Sequence, residues 1–202
     1  MDFEVLDINC VLGKQINALA IPSADELLSI MDGFGIDEAF VSAPQFSLGT
    51  PETGGSSRLY PVFNAIPHHT GECPPPDAMG KCHAVRIYPV FHRVKLHLWL
   101  WNDLFSFLCE RRLPLFIDFS NRGWQEDFDY DGVHAICDAY PDMPVVIMRA
   151  SVSADRYLYR LWDIHQNLYI LTLRTISPIT DSTRSRRGFP QGCCSSGPGC
   201  RS

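Results

Sequence analysis

No stretch of this chain approaches the ~20 consecutive apolar residues that a membrane-spanning helix requires. Positive charge is also short: 17 Lys and Arg stand against 23 Asp and Glu, giving a formal net charge of −6 and a pI near 5.6. A nucleic-acid-binding surface is normally basic, so neither a membrane nor a nucleic acid is the expected partner. The opening Met1-Asp2-Phe3-Glu4 is acidic and runs directly into a strand-like segment. It lacks the basic start and apolar core of a secretory signal, and a cytoplasmic location is the expectation. Cysteine is plentiful, at eight residues, but scattered. Cys10, Cys73, Cys82, Cys109 and Cys137 read as free thiols in a reducing compartment; Cys193, Cys194 and Cys200 crowd the C-terminal end.

What the chain does have is length and apolar content. Its 202 residues are 46% hydrophobic, enough for a sizeable core. Strand-like and helix-like segments alternate. Strands are expected over Phe3–Leu12, Ile36–Ala43, Leu59–Ile66, Val85–Val90, Pro114–Phe119, Pro144–Met148 and Leu168–Leu173. A helix opens after Pro22, where Ser23 and Glu26 have capping-box spacing, with Leu27, Leu28, Ile30 and Met31 expected inward. Further helices are expected over Leu98–Arg112 (inward Leu100, Leu104, Phe107 and Leu108), Asp131–Tyr140 and Ala154–His165. Phe46–Ser57 and Pro67–Lys81 are Gly-, Ser- or Pro-rich loops, the second with a short helical turn near Asp77–Gly80. Continuous apolar strands alternating with helices favour a parallel sheet with right-handed crossovers. A complete eight-stranded α/β barrel usually takes ~250 residues. The expectation is therefore an incomplete (β/α)8-type barrel of about seven strands over residues 1–173. Residues 174–202 have no period and little to bury, and read as a disordered tail. That tail is either native or the product of translation out of frame.

Four apolar runs end in polar residues: Asn9 and Cys10, then Arg86, Tyr88 and His92, then Asp118, then Arg149. Barrel active sites lie at the carboxyl ends of the strands, so these residues are the candidate site. No histidine stands where a metal-binding barrel would place one.

Asp7-Ile8-Asn9-Cys10-Val11-Leu12-Gly13 resembles the opening strand of the amidohydrolase-related family of (β/α)8 hydrolases and decarboxylases. That family opens on Asp-x-His-x-His; here Asn9 and Val11 stand in the two histidine positions. Val85–Pro89 resembles the family's fourth strand, and Arg111–Phe119 its fifth, with Asp118 in the histidine position. Ala139–Ala150 resembles the next, with Arg149 in place of histidine, and Asn167–Ile170 the seventh. The resemblance runs from Phe3 to Leu173; the last strand, with the family's catalytic Asp, has no counterpart. A catalytic zinc needs three good donors and an open position, and a carboxamide, a valine, a carboxylate and a guanidinium do not supply them. No cofactor is expected, and zinc only through an altered site.

The resemblance implies a hydrolase or decarboxylase acting on a small carboxylate-bearing molecule. Asn9, Arg86 and Arg149 would bind that substrate, arginine being suited to hold both oxygens of a carboxylate. His92, Asp118 and Tyr88 are the candidate catalytic residues: His92 or Asp118 to move a proton, Tyr88 to donate to an oxyanion. Each has a structural alternative. Asp118 and Arg149 could form a fixed salt bridge, His92 could be an exposed loop residue, and Tyr88 a core aromatic. His68, His69, Cys73, Cys82 and His83 match no common zinc spacing. The Leu98–Trp101 segment (LWLW) fits either core or a partner interface. A catalytically inactive ligand- or partner-binding barrel and a non-functional fragment are the alternatives to an enzyme. A barrel short of one strand has open edges that invite homo-oligomers.

Overall fold

Each apolar run that reads as a strand is one, because short β-branched and aromatic stretches bury best in a parallel sheet covered on both faces. The structure, a computed structural model, describes residues 4–13, 21–45, 47–66, 79, 81–119, 128–150 and 155–172. In chain order the elements are β1 (Leu6–Val11), α1 (Ala24–Phe34), β2 (Glu38–Ser42), β3 (Leu59–Asn64), β4 (Ala84–Ile87), α2 (Pro89–His92), α3 (Leu98–Arg111), β5 (Leu115–Asp118), α4 (Tyr130–Ala139), β6 (Val145–Ala150), α5 (Asp155–Ile164) and β7 (Leu168–Thr172). The seven strands form one sheet in sequence order, every neighbouring pair parallel.

The sheet is curled. Flat, β1 and β4 would lie about 14 Å apart, at ~4.8 Å per strand. Yet an Asn9 side chain on β1 accepts a hydrogen bond from Arg86 on β4 at 2.9 Å. Alternation along the strands then sorts the core into two layers. Val85, Ile87, Leu115, Ile117, Val145 and Ile147 pack outward with α3, α4 and α5. Phe40, Val62, Ala84, Phe116, Val146 and Met148 pack together on the inner face. Among the described residues β1 pairs only with β2 and β7 only with β6, as in an incomplete (β/α) barrel. The expected tail lies outside the described residues.

Several boundaries differ from expectation. The fourth strand stops at Ile87 rather than Val90, and Pro89–His92 form the short helix α2. Proline has no N–H for a ladder and suits the first turn of a helix. The capping box at Ser23 and Glu26 is present. Of the residues expected inward from α1, Leu27 and Met31 are buried and Leu28 is partly so, whereas Ile30 is about half exposed. In α3 the buried stripe is Trp101, Leu104, Phe105 and Leu108; it shares Leu104 and Leu108 with the expected one, whereas Leu100 and Phe107 are only partly buried. Trp101 donates its indole N–H to the Lys95 carbonyl at 3.0 Å, while Trp99 is 78% exposed and stacks on His97. The expected turn at Asp77–Gly80 falls outside the described residues except for Met79, which is buried. None of the described helices is long and apolar enough to cross a membrane.

Asp129 caps α4 through Gly132 N–H at 2.9 Å and also accepts from Leu96 N–H at 3.1 Å. The two bonds press Leu96 onto the helix at Gly132. A Cβ there would meet Leu96 Cβ at 2.6 Å and the Asp129 carboxyl at 2.8 Å. Gly132→Ala should therefore destabilise, the overpacking cost of about 1–3 kcal/mol outweighing the ~1 kcal/mol helix gain of alanine. Denaturant unfolding checks this; a variant as stable as the parent would contradict it.

Candidate functional site

The inner face is apolar at its lower level and polar at the carboxyl ends of the strands. One buried cation organises that polar level. Arg86, 1% exposed, projects inward from the middle of β4. Its Nη1 donates to Ser42 Oγ at the end of β2 at 3.2 Å. Its Nη2 donates to Asn9 Oδ1 on β1 at 2.9 Å and forms an ion pair with Asp118 Oδ2 at the end of β5. Asp118 is fully buried. The guanidinium also lies over the Tyr88 ring, 5.2 Å from its centroid. One side chain thus ties together β1, β2 and β5 from β4.

Asn9 faces this cluster because β1 is irregular there. Leu6 and Ile8 pack on the inner face, so strict alternation would send Asn9 outward. The register against β2 shifts between Asp7 and Cys10. Asp7 Oδ1 accepts from the Asn9 N–H at 2.9 Å, fixing the local turn. A bulge of this kind re-aims a side chain: Asn9 goes in, and Cys10 joins the outer cluster of Leu12, Leu27 and Met31. Burial, and secondarily Asp7, push the Cys10 thiol up to about 12. It stays protonated at neutral pH, as does the buried Cys137 thiol, also at about 12.

Two residues of this level were not singled out from the sequence. Ser42 donates to the Cys10 carbonyl at 3.4 Å, which leaves its lone pairs to Arg86. Asn64 ends β3 in register with Arg86 and is fully buried. Its Nδ2 donates to the carbonyls of Ala43, Pro44 and Ser47 at 2.8, 3.2 and 3.1 Å. Its backbone pairs with Gly49. The segment after β2 is thereby strapped across the strand ends. Asn64 Oδ1 and Arg86 Nε are buried without a hydrogen-bond partner among the described residues. Ser42 and Asn64 each close an apolar run, the same signal that singles out Asn9 and Asp118, although a serine or asparagine there also reads as a turn residue.

His92 is not in a loop. It sits in α2, half-buried, with its ring 5.7 Å from that of Tyr88, and its Nε2 pairs with the Gln45 carbonyl at 3.1 Å. Tyr88 is buried at the end of β4. Asp118 finds its cation in Arg86 on the adjacent strand. Arg149 lies on β6, where the register against β7 shifts between Ile147 and Ala150; its side chain is outside what is described. His68, His69 and Cys73 lie outside the described residues; Cys82 and His83 are within them, and burial raises the Cys82 thiol to about 11.

The metal of the family that the sequence resembles does not fit this donor set. Asn9 and Asp118 are both occupied by one guanidinium nitrogen, Val11 offers no donor, and arginine is a permanent cation. Among the described residues no group of three or more His, Cys, Asp or Glu is placed to hold an ion.

The site carries two predictions. Asp118→Ala leaves a buried guanidinium without its counter-charge and should cost about 3–5 kcal/mol; unfolding by urea measures it, and a loss under 1 kcal/mol would contradict the ion pair. Burial lowers the proton affinity of His83, His92 and His165, the last also through the His134 charge. The unfolded chain then takes up more protons than the folded one as pH falls through the ordinary histidine value of 6.5. The melting temperature should drop from pH 7.5 toward about 5.5, and His92→Gln should flatten that slope; a profile level across this range would count against it.

No protein-family model matches the chain, and no curated protein matches it. Solved structures do. A TIM-barrel protein from Bordetella bronchiseptica is 12% identical, with a TM-score of 0.56 over 83% of this chain and 74% of its own. A dihydroorotase from Campylobacter jejuni is 10% identical, with a TM-score of 0.57 over 84% of this chain and 54% of its own. A probable 2-pyrone-4,6-dicarboxylic acid hydrolase from Acinetobacter baumannii, solved with citric acid bound, is 12% identical, with a TM-score of 0.55 over 83% of this chain and 69% of its own. The chain thus spans little more than half of the dihydroorotase. Likeness at this identity is likeness of fold: with its curled parallel sheet and polar strand ends, the chain carries the fold of the amidohydrolase-type TIM barrels.

Proposed function

We propose that the chain acts on a small carboxylate-bearing molecule at the carboxyl ends of its strands, as a hydrolase or decarboxylase that does not use the family's metal set. The observation that carries this reading is the buried polar level itself. Asn9, Ser42, Asn64, Arg86 and Asp118 converge there from five strands, and burying so many polar groups is costly unless they serve each other or a ligand. One solved structure of similar fold is described as a probable 2-pyrone-4,6-dicarboxylic acid hydrolase and was solved with citric acid bound, which supports a carboxylate as the ligand class.

In this reading the residues divide by their engagements. Asp118 holds Arg86 in place rather than moving a proton, since its carboxylate is committed to the guanidinium. Arg149, at the end of β6, supplies the positive charge for the substrate carboxylate. His92 is the proton carrier: it is half-buried beside Tyr88, and its ordinary proton affinity lies near neutrality before burial lowers it. Tyr88 offers a hydroxyl to the developing negative charge.

A second reading is favoured by one observation. Arg86 and Asp118 already neutralise each other, which suits a barrel that binds an anion without turning it over. The test uses the full chain with citrate, followed by isothermal titration, and 2-pyrone-4,6-dicarboxylate, followed by its ultraviolet absorbance. Turnover that falls by about 10²–10⁴ in His92→Gln, with binding weakened in Arg149→Met, is the expected outcome. Binding without turnover selects the second reading, and neither binding nor turnover of either carboxylate at millimolar concentration overturns both.

A further inference from the structure

We propose that Arg86 is a built-in cation. Its guanidinium fills a cation-receptive site at the barrel mouth, keeps divalent ions out, and leaves behind a site for an external cation when it is removed. The inference does not depend on any substrate.

The donors show what the site prefers. Three oxygens from three strands, Asn9 Oδ1, Ser42 Oγ and Asp118 Oδ2, converge on one planar group above the apolar cluster of the inner face. The Ser42 proton is committed to the Cys10 carbonyl, so the oxygen presents lone pairs to the centre. The Asn9 amide is held with its oxygen inward by the bulge at Asp7. Every inward donor atom is therefore an acceptor, and one of them carries a negative charge. Asn9 and Asp118 meet at the same nitrogen, Nη2. They stand at two of the four positions where the resembled family has histidines, so a positive nitrogen lies between positions that would otherwise share an ion.

The arrangement is also closed to a second cation. Arg86 cannot lose its charge, and its stem is anchored in the centre of β4 with the side chain 98% buried. Two of its nitrogens take all three acceptors described here. A divalent ion would have to displace the guanidinium from Asp118 and leave it buried and unpaired. Without the side chain, the same oxygens form a hard, all-oxygen site with one carboxylate. Such a donor set suits Mn²⁺, Mg²⁺ or Ca²⁺ better than zinc, which favours nitrogen and sulfur.

The test uses the full chain and Mn²⁺, followed by electron paramagnetic resonance and by thermal melting. The parent protein should take up no stoichiometric Mn²⁺ and show no melting shift with it. Arg86→Ala should melt lower, and millimolar methylguanidinium or Mn²⁺ should raise its melting temperature in a concentration-dependent way. Mn²⁺ should bind that variant one to one, and adding Asp118→Asn should abolish both effects. Stoichiometric Mn²⁺ on the parent that disappears in Asp118→Asn would overturn the proposal. So would an Arg86→Ala chain that neither cation stabilises, whether it is folded at the outset or fails to fold in their presence. Arg86→Lys keeps a charge in place and folds more readily; it should exclude Mn²⁺ as the parent does, and one-to-one uptake by it would also count against the proposal.

Discussion

A guanidinium buried in an apolar interior must be paired and hydrogen-bonded, or the fold cannot hold it. That constraint on Arg86 shapes the upper half of this molecule. Its counter-charge comes from the next strand, β5, but its remaining acceptors come from β1 and β2, three and two strands away on the other side. A flat sheet would leave those acceptors out of reach. The same contact that satisfies the charge therefore requires the curl. The bulge in β1 follows from the same demand, because only a break in alternation turns Asn9 toward the cation.

The lower half is governed by ordinary apolar packing. Outward residues of β4, β5 and β6 bury against α3, α4 and α5, and inward ones fill the barrel with Phe40, Phe116, Val62, Val146 and Met148. Polar chemistry is thus confined to one level, at the strand ends. There Asn64 and His92 hold the segment after β2 by its carbonyls, the first from β3 and the second from α2. The site is assembled from strand ends and capped by a loop that the same strand ends anchor.

Much of this is legible in the chain. Apolar runs locate the seven strands, most plainly β4 and β5, which the parallel sheet buries on both faces. The Ser23 and Glu26 capping box locates the start of α1 because its reciprocal bonds are local. Asn9, Arg86, Tyr88 and Asp118 are readable as strand-end polar residues, and they do come together. What is not legible is pairing across the barrel. Asp118 reads equally well against Arg149 or Arg86, and only the register and the curl place Arg86 beside it. Ser42 and Asn64 escape notice because serine and asparagine at a strand end also read as turn residues. The inward stripe of α3 is half read, with Leu104 and Leu108 placed correctly but Leu100 and Phe107 chosen over Trp101 and Phe105, because four consecutive apolar residues open the helix and periodicity alone cannot choose between its faces.

The central claim is that one ion pair, Arg86 with Asp118, anchors the polar level of the barrel. A double-mutant cycle measures it most directly. Unfolding free energies are compared for the parent, Arg86→Met, Asp118→Leu and the double variant. A coupling energy of about 2–3 kcal/mol is expected, with the double variant more stable than either single loss summed would allow. Additive losses, with coupling within about 0.5 kcal/mol of zero, would contradict the account.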